Sequence, residues 1–250
     1  MNAFLRWLVL LVAALFVLQL YFAARIGLMA VVNPQSSAFE RSEAWRLATG
    51  TATATAPGSF RWRQQWVDYD DISDHLKRAV IASEDDGFLF HDGVQWDALE
   101  KAWERNAKTQ SVVQAQEQAR KKPSGRVAKI VGGSTITQQL AKNLFLSGER
   151  TFLRKGQEFL LTGMLELMLS KERILEIYLN NVEWGEGIFG AEAAAQAYFK
   201  KPAAKLAPIE AARLAVMLPR PKFFEKLPNS PYLQSRSVAI AARMAGAELP

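Results

Sequence analysis

The chain has no cysteine among its 250 residues and only two histidines, His75 and His91. The absence of cysteine excludes a disulfide framework and any metal site built on thiolates, although it does not by itself fix the compartment. Two scattered histidines also exclude a histidine metal site. Hydrophobic residues make up 49% of the chain, so the composition is not that of a disordered protein. The length allows one sizeable core or at most two small domains.

Basic residues exceed acidic ones by 31 to 25, which gives a net charge of +6 at pH 7. A basic surface suits nucleic acid, anionic lipid headgroups or a diphosphate, and charge alone does not choose among them.

Charged residues are absent from the segment 7–24. As a helix it would extend about 27 Å, which just spans the hydrocarbon core of a bilayer. A cleaved signal peptide is the alternative, but its apolar part is normally shorter and residues 23–25 form a poor cleavage site. We therefore predict a transmembrane anchor within residues 1–32. Arg6 and Arg25 flank the segment, so charge asymmetry barely decides its orientation.

The remaining chain divides into a connector and a globular part. Residues 33–59 include a low-complexity Thr-Ala run and are predicted to be a linker. From residue 60 to 250 the apolar spacing is mostly helical, and strict alternation is rare, so any sheet should be minor. Residues 107–131 are rich in glutamine and cations around a Pro-Ser-Gly turn. We predict that this stretch is a solvated, flexible insertion. The alternative is that its cations bind anionic lipid or a diphosphate.

The segment 132–143, Gly-Gly-Ser-Thr-Ile-Thr-Gln-Gln-Leu-Ala-Lys-Asn, joins two glycines to a run of hydroxyl and amide side chains and one cation. Glycine lets backbone approach a ligand closely. Ser and Thr can begin a helix whose free N–H groups face an anion, and Lys142 adds a mobile positive charge for a phosphate. A plain N-capped helix is the simpler interpretation, but the length of the polar run disfavours it.

Five stretches in order resemble the five signatures of the peptidoglycan glycosyltransferases, the family that polymerises lipid II. The similarity covers about residues 60–235, and the stretches are residues 84–93, 132–143, 154–158, 174–190 and 211–219. The resemblance implies a mainly α, lysozyme-like domain on a single N-terminal transmembrane helix. It also implies that the protein is located in the cytoplasmic (inner) membrane, with the domain on the periplasmic or outer side. The chain contains neither Ser-x-x-Lys nor Lys-Thr-Gly, so no transpeptidase domain is expected.

The resemblance also implies the partners: lipid II, the nascent glycan strand, membrane lipid and proteins of wall synthesis and division, but no nucleic acid. By resemblance, Glu84 is the general base on the 4-hydroxyl of the acceptor N-acetylglucosamine. The apolar run 79–82 before it should desolvate the carboxyl and raise its pKa. Glu158 is the second catalytic carboxylate, and three roles stay open for it: orienting cations, binding a divalent ion such as Mg or Mn, or stabilising charge at the donor anomeric carbon. No organic cofactor is expected.

The resemblance assigns the substrate-binding residues too. Lys142 and Arg150 are expected to contact the donor diphosphate, while Ser134, Thr135, Gln138 and Gln139 are expected to line the cleft. The further substrate-binding residues are Asp85, Asn143, Arg154 and Lys155. His91 is expected to hold the turn of the first signature.

Three classes of function compete. They are a lipid-linked glycosyltransferase, a peptidoglycan-cleaving enzyme on a lysozyme-like fold with a glutamate as general acid, and a membrane-anchored binding protein without catalysis. The cations and the polar run favour the first, because a hydrolase has no diphosphate to hold. A binding protein would tolerate the loss of either signature glutamate, yet both are present.

Overall fold

A computed structural model describes residues 2–49, 62–97, 133–146 and 151–250, together with four helical positions between 100 and 108. The first element, α1 (Ala3–Leu28), is 26 residues long and is long and apolar enough to cross a membrane. Its final turns pack on the rest of the protein. Phe22 meets Phe145 edge-to-face at 5.4 Å between ring centroids, and Ile26 is fully buried. The apolar helix and the domain are therefore in direct contact.

The linker predicted at residues 33–59 contains a second helix, α2 (Ala38–Ala48). Ser37 Oγ accepts the Glu40 N–H at 3.0 Å, and Glu40 Oε2 accepts the Ser37 N–H at 2.7 Å. This reciprocal capping box provides hydrogen-bond acceptors for two backbone N–H groups at the start of the helix. The Ser-x-x-Glu spacing that predicts such a box is present in the sequence, and part of the predicted linker is thus a capped helix. Residues 50–59 lie outside the described residues.

Helices dominate the rest of the described chain, which confirms the predicted mainly α fold. The elements are β1 (Arg63–Gln64), α3 (Asp74–Glu84), α4 (Ile136–Phe145), α5 (Phe152–Met168), α6 (Lys171–Asn181), β2 (Glu183–Gly185), β3 (Ile188–Phe189), α7 (Ala191–Phe199), α8 (Pro208–Met217), α9 (Pro221–Glu225) and α10 (Pro231–Arg243). Short 3₁₀ turns occur at Tyr69–Asp71, Phe88–Phe90, Ala203–Lys205 and Met244–Gly246.

The single sheet in the described chain is small, as the scarcity of alternating patterns predicts. Its strand order is β1-β3-β2, with β1 parallel and β2 antiparallel to β3. Around it, α8 packs between α3 and α10, while α4 packs against α2, α5 and α6. Trp184, Tyr178 and Phe88 are among the largest fully buried side chains. This core fixes the end of α3 beside one face of α4.

Two glycines hold turns that other residues could not adopt. Gly93 has φ +83°, and a Cβ there would lie 2.6 Å from the Thr162 side chain. Gly190 also has φ +83°, and its Cβ would lie 2.8 Å from the Asn180 carbonyl oxygen. Both the backbone conformation and the close approach therefore require glycine.

Candidate active site

Glu84 is the last residue of α3, and its carboxylate lies next to α4. Its Oε2 accepts a hydrogen bond from Gln139 Nε2 at 3.1 Å. Burial raises the pKa of Glu84, as the apolar residues before it predict, while the hydrogen bond from Gln139 opposes that rise. The carboxylate is therefore oriented and made more basic than a surface glutamate.

A buried tyrosine orients Gln139 in turn. The Tyr178 hydroxyl, on α6, donates to Gln139 Oε1 at 3.0 Å. Burial raises the pKa of Tyr178 well above its usual range, so the phenol keeps its proton and acts as a donor. Because the amide oxygen faces this donor, the amide NH2 group faces Glu84. Three elements, α3, α4 and α6, thus meet in one relay of hydrogen bonds.

Lys142 follows Gln139 by one turn of α4 and lies beside the same cleft. This cleft has a volume of about 320 Å³, and it is lined by Phe39, Gln139, Lys142, Asn143, Leu146, Arg154, Val182, Glu183, Leu218 and Pro221. The Lys142 side chain is solvent-accessible through the open cleft, but the surrounding protein desolvates it and lowers its pKa. The charges of Glu158 and Glu84 act in the opposite direction. The Lys142 ammonium therefore interacts electrostatically with both signature glutamates.

Arg154, Lys155 and Glu158 form an ion cluster on the first turns of α5. The side chain of Glu158 is only 5% exposed. One oxygen accepts from Arg154 at 3.0 Å, and the other accepts from Lys155. Arg154 Nε is buried and has no hydrogen-bond acceptor within the described chain. The Arg154 side chain also lines the cleft, where a guanidinium suits an anionic ligand.

The start of α4 differs from the expectation of open N–H groups. The Thr135 hydroxyl accepts the Gln138 N–H at 3.2 Å, and Gln138 Oε1 accepts the Thr135 N–H at 3.2 Å. The Ile136 N–H donates to Asp85 Oδ2 at 2.9 Å. The N–H groups of Ile136 and Gln138 are thus occupied within the protein and are not free for an anion as expected. Thr135 and Gln138 are buried in the capping box, whereas Ser134 just before them is exposed.

Asp85 belongs to the framework behind the cleft. Its side chain is 1% exposed, and its second oxygen accepts from His91 Nε2 at 2.8 Å. His91 Nδ1 accepts the Gly93 N–H at 3.1 Å, so the ring proton lies on Nε2 and points at Asp85. The Gly93 carbonyl accepts the Thr135 hydroxyl at 2.6 Å. The first signature is therefore hydrogen-bonded to the second, and both oxygens of Asp85 accept hydrogen bonds within the protein.

Comparison with known proteins gives the same family as these residues. Residues 50–245 match the family described as transglycosylase. The chain belongs to this family. A protein of Burkholderia thailandensis is 51% identical over 232 residues, which cover 93% of this chain and 82% of the relative. One of Paraburkholderia phytofirmans is 47% identical over 249 residues, covering 98% and 94%. Both carry the name biosynthetic peptidoglycan transglycosylase.

Of the site residues that the resemblance assigned, the structure groups most around one cleft of this transglycosylase domain. Gln139, Lys142, Asn143 and Arg154 line it, Glu84 is hydrogen-bonded to Gln139, and Lys155 and Glu158 adjoin Arg154. Arg150 and nearly all of the insertion predicted at residues 107–131 lie outside the described residues.

Three residues at the site were not identified from the sequence. Tyr178 lies within the fourth signature, in Tyr-Leu-Asn, and that position could have drawn attention to it. Glu183 and Phe39 carry no comparable signal, because only folding brings them to the cleft. Among the described residues, no group of three His, Asp or Glu side chains could hold a metal ion. Because both oxygens of Glu158 already accept from cations, the described residues do not fit a resident metal site.

Proposed function

We propose that the chain uses this cleft to polymerise lipid II into glycan strands. Glu84 takes the proton of the acceptor 4-hydroxyl as that oxygen attacks the donor anomeric carbon. The bond to the diphosphate breaks, the configuration inverts, and the polyprenyl diphosphate leaves. A base with a raised pKa suits this step at neutral pH. The single observation that carries the proposal is a half-buried glutamate hydrogen-bonded to Gln139, which lines the same cleft as the Lys142 and Arg154 cations.

The cations have a defined part in the reaction. Negative charge grows on the diphosphate as the bond to carbon breaks, so Lys142 and Arg154 stabilise the transition state more than the bound substrate. Glu158 holds Arg154 and Lys155 in place, which favours the orienting role among the three that the sequence left open. The lysozyme-like cleaving alternative finds no support in the comparisons.

The apolar N-terminal helix is consistent with a membrane-anchored enzyme. We propose that the protein is anchored in the cytoplasmic membrane with its domain on the outer side, because lipid II is held in the bilayer by its polyprenyl tail. Proteins of wall synthesis and division are the partners that we expect. Any dependence on Mg or Mn would then act through the ion's contact with the diphosphate of the substrate.

The test is to incubate the purified full-length protein with lipid II in detergent, with and without a divalent ion, and to separate the products on a gel. We expect a ladder of glycan polymers and release of polyprenyl diphosphate. Conversion of preformed glycan into short fragments, without any polymer from lipid II, would instead identify a cleaving enzyme.

A further inference from the structure

The apolar helix α1 is attached to the domain at two levels. At its end, Arg173 on α6 donates from Nε to the Met29 carbonyl at 2.8 Å and from Nη2 to Asn33 Oδ1 at 2.7 Å. Earlier in the helix, Gln19 is the first residue that the domain partly covers, since residues 2–18 are exposed. The two levels lie about 15 Å apart along the helix axis. Two separated attachments fix the direction of α1 relative to the domain as well as its position.

The attachment at Gln19 is a reciprocal pair of side-chain amides. Gln19 Nε2 donates to Gln157 Oε1 at 3.0 Å, and Gln157 Nε2 donates to Gln19 Oε1 at 3.1 Å. Arg25 is the first charged residue after the apolar segment, and Gln19 lies about 9 Å before it along the helix, inside that segment. An amide in hydrocarbon is costly without a partner, and here each amide provides the partner of the other. The amide pair is therefore suited to hold two helices together within a bilayer.

The helix α5 lies beside the second half of α1. Gln157, in its first half, meets Gln19, and at its end the Met168 methyl lies 3.0 Å from where a Cβ on Gly27 would be. These contacts occur in the same order along both chains, so the two helices run in the same direction. The first half of α5 therefore lies at the level of the apolar part of α1.

The face of α5 beside this contact is apolar and exposed. Leu153, Leu160 and Leu167 recur every seven residues and so share one side of the helix, and their exposed fractions are 89%, 55% and 87%. This side adjoins α1, so hydrocarbon is the solvent that suits both surfaces. On the other side of the contact with α1, Arg154 and Glu158 belong to the ion cluster of the cleft. Around its circumference, α5 thus presents an apolar face, the contact with α1 and the cleft.

We infer that Gln19 and Gln157 are positioning residues, which fix the depth of α5 and of its ion cluster in the bilayer. The inference rests on the proposed function, in which the cations of this cluster hold the diphosphate of lipid II. That diphosphate lies at the headgroup level, so a cluster held too deep or too shallow would not reach it. Gln157 precedes Glu158 and lies within one turn of Arg154, so a displacement at the amide pair moves the cluster too.

The experiment measures polymerisation of lipid II by the full-length protein in detergent and in phosphatidylcholine vesicles with short, medium and long acyl chains. For the unaltered protein the rate in vesicles should peak at one chain length, because α1 sets the level of the cluster and the bilayer thickness sets that of the diphosphate. Gln19→Leu and Gln157→Leu should lower the peak about three- to tenfold, the effect of hydrogen bonds between membrane helices, and flatten the profile. In detergent, where lipid II is not confined to one plane, their rates should be unchanged.

Matched variants serve as controls. Combining Gln19→Leu with Gln157→Leu should cost no more than either change alone, because each already removes both hydrogen bonds. Val17→Leu is the control for α1, because that side chain is 62% exposed, and Gln234→Leu is the control for an exposed glutamine, on α10. Both controls should behave as the unaltered protein.

A second measurement follows the two helices directly. The chain contains no cysteine, so Val12→Cys and Leu167→Cys provide a unique pair of sites for spin labels on α1 and α5. In vesicles the distance distribution should be narrow, and Gln157→Leu should broaden it. An unchanged distance distribution, an unchanged vesicle profile or an equal loss of rate in detergent and vesicles would overturn the inference. Absence of polymer from the unaltered protein in detergent would reject the proposed function instead.

Discussion

The Tyr178–Gln139–Glu84 relay makes a prediction about the pH dependence of the reaction. Gln139→Leu removes the amide that donates to Glu84 and leaves the Tyr178 hydroxyl buried without its acceptor. The hydrogen bond favours the ionised form of Glu84, so its loss raises a pKa that burial has already raised. The base is then protonated over a wider range, and the acid limb of kcat/KM should move to higher pH.

The size of this shift follows from the contact. A hydrogen bond to a charged group contributes about 1.5–3 kcal/mol, and one pH unit corresponds to about 1.4 kcal/mol. Because Glu84 is only partly buried, water replaces some of the lost bond, and we expect a shift of about one unit. Tyr178→Phe should shift the limb in the same direction by less, since it acts only through the orientation of Gln139. The double variant should shift it no further than Gln139→Leu alone.

The assay is the pH profile of lipid II polymerisation in detergent for the two single variants and the double variant. Tyr198→Phe is the matched control, because that hydroxyl donates to the Trp184 carbonyl at 2.7 Å, away from Glu84. It should lower the free energy of unfolding by about 1 kcal/mol and leave the profile in place. An acid limb that stays fixed in Gln139→Leu, or additive shifts in the double variant, would refute the relay.

Three further predictions follow from the same contacts. Lys142→Ala should lower kcat as well as raise the KM for lipid II, because charge grows on the leaving diphosphate; steady-state kinetics with a change in KM alone would contradict this. Asp85→Ala removes the acceptor for the Ile136 N–H and should lower the free energy of unfolding by about 1–3 kcal/mol, which an unchanged denaturant midpoint would disprove. Deleting residues 2–18 keeps the part of α1 that contacts the domain, so activity in detergent should persist while activity in bilayers falls; an unchanged ratio of the two rates would show that the helix does not position the cleft.

Much of the fold could be predicted because it is encoded locally. The uncharged segment 7–24 predicts α1, and helical spacing predicts the mainly α domain. The helix α2 was missed although Ser37 and Glu40 have capping-box spacing, because the low-complexity run after it suggested a connector throughout. Composition over a window of residues therefore concealed a short helix whose stability comes from its cap and its contacts with the domain.

The site divides in the same way. Glu84, Gln139 and Lys142 lie in signatures and were identified through the resemblance to the family. Gln139 and Lys142 are three residues apart on α4 and therefore share a face of that helix. The sequence could not show whether Asp85, Thr135 and Gln138 bind substrate or support the fold. A polar residue looks the same in the sequence whether its side chain faces a ligand or a neighbouring helix. Only the folded contacts show that these three are buried and occupied.

The most direct test of the account is the single-turnover rate of glycosidic bond formation by Glu84→Gln, with Asp86→Asn as the control. Glutamine keeps the shape but cannot accept the proton, so the rate should fall by roughly 10²–10⁴-fold while the fold is retained. Asp86 is the neighbouring carboxylate, 69% exposed and paired with Arg243, and its amide should leave the rate unchanged. A folded Glu84→Gln protein that forms polymer within about tenfold of the unaltered rate would contradict the assignment of Glu84 as the base.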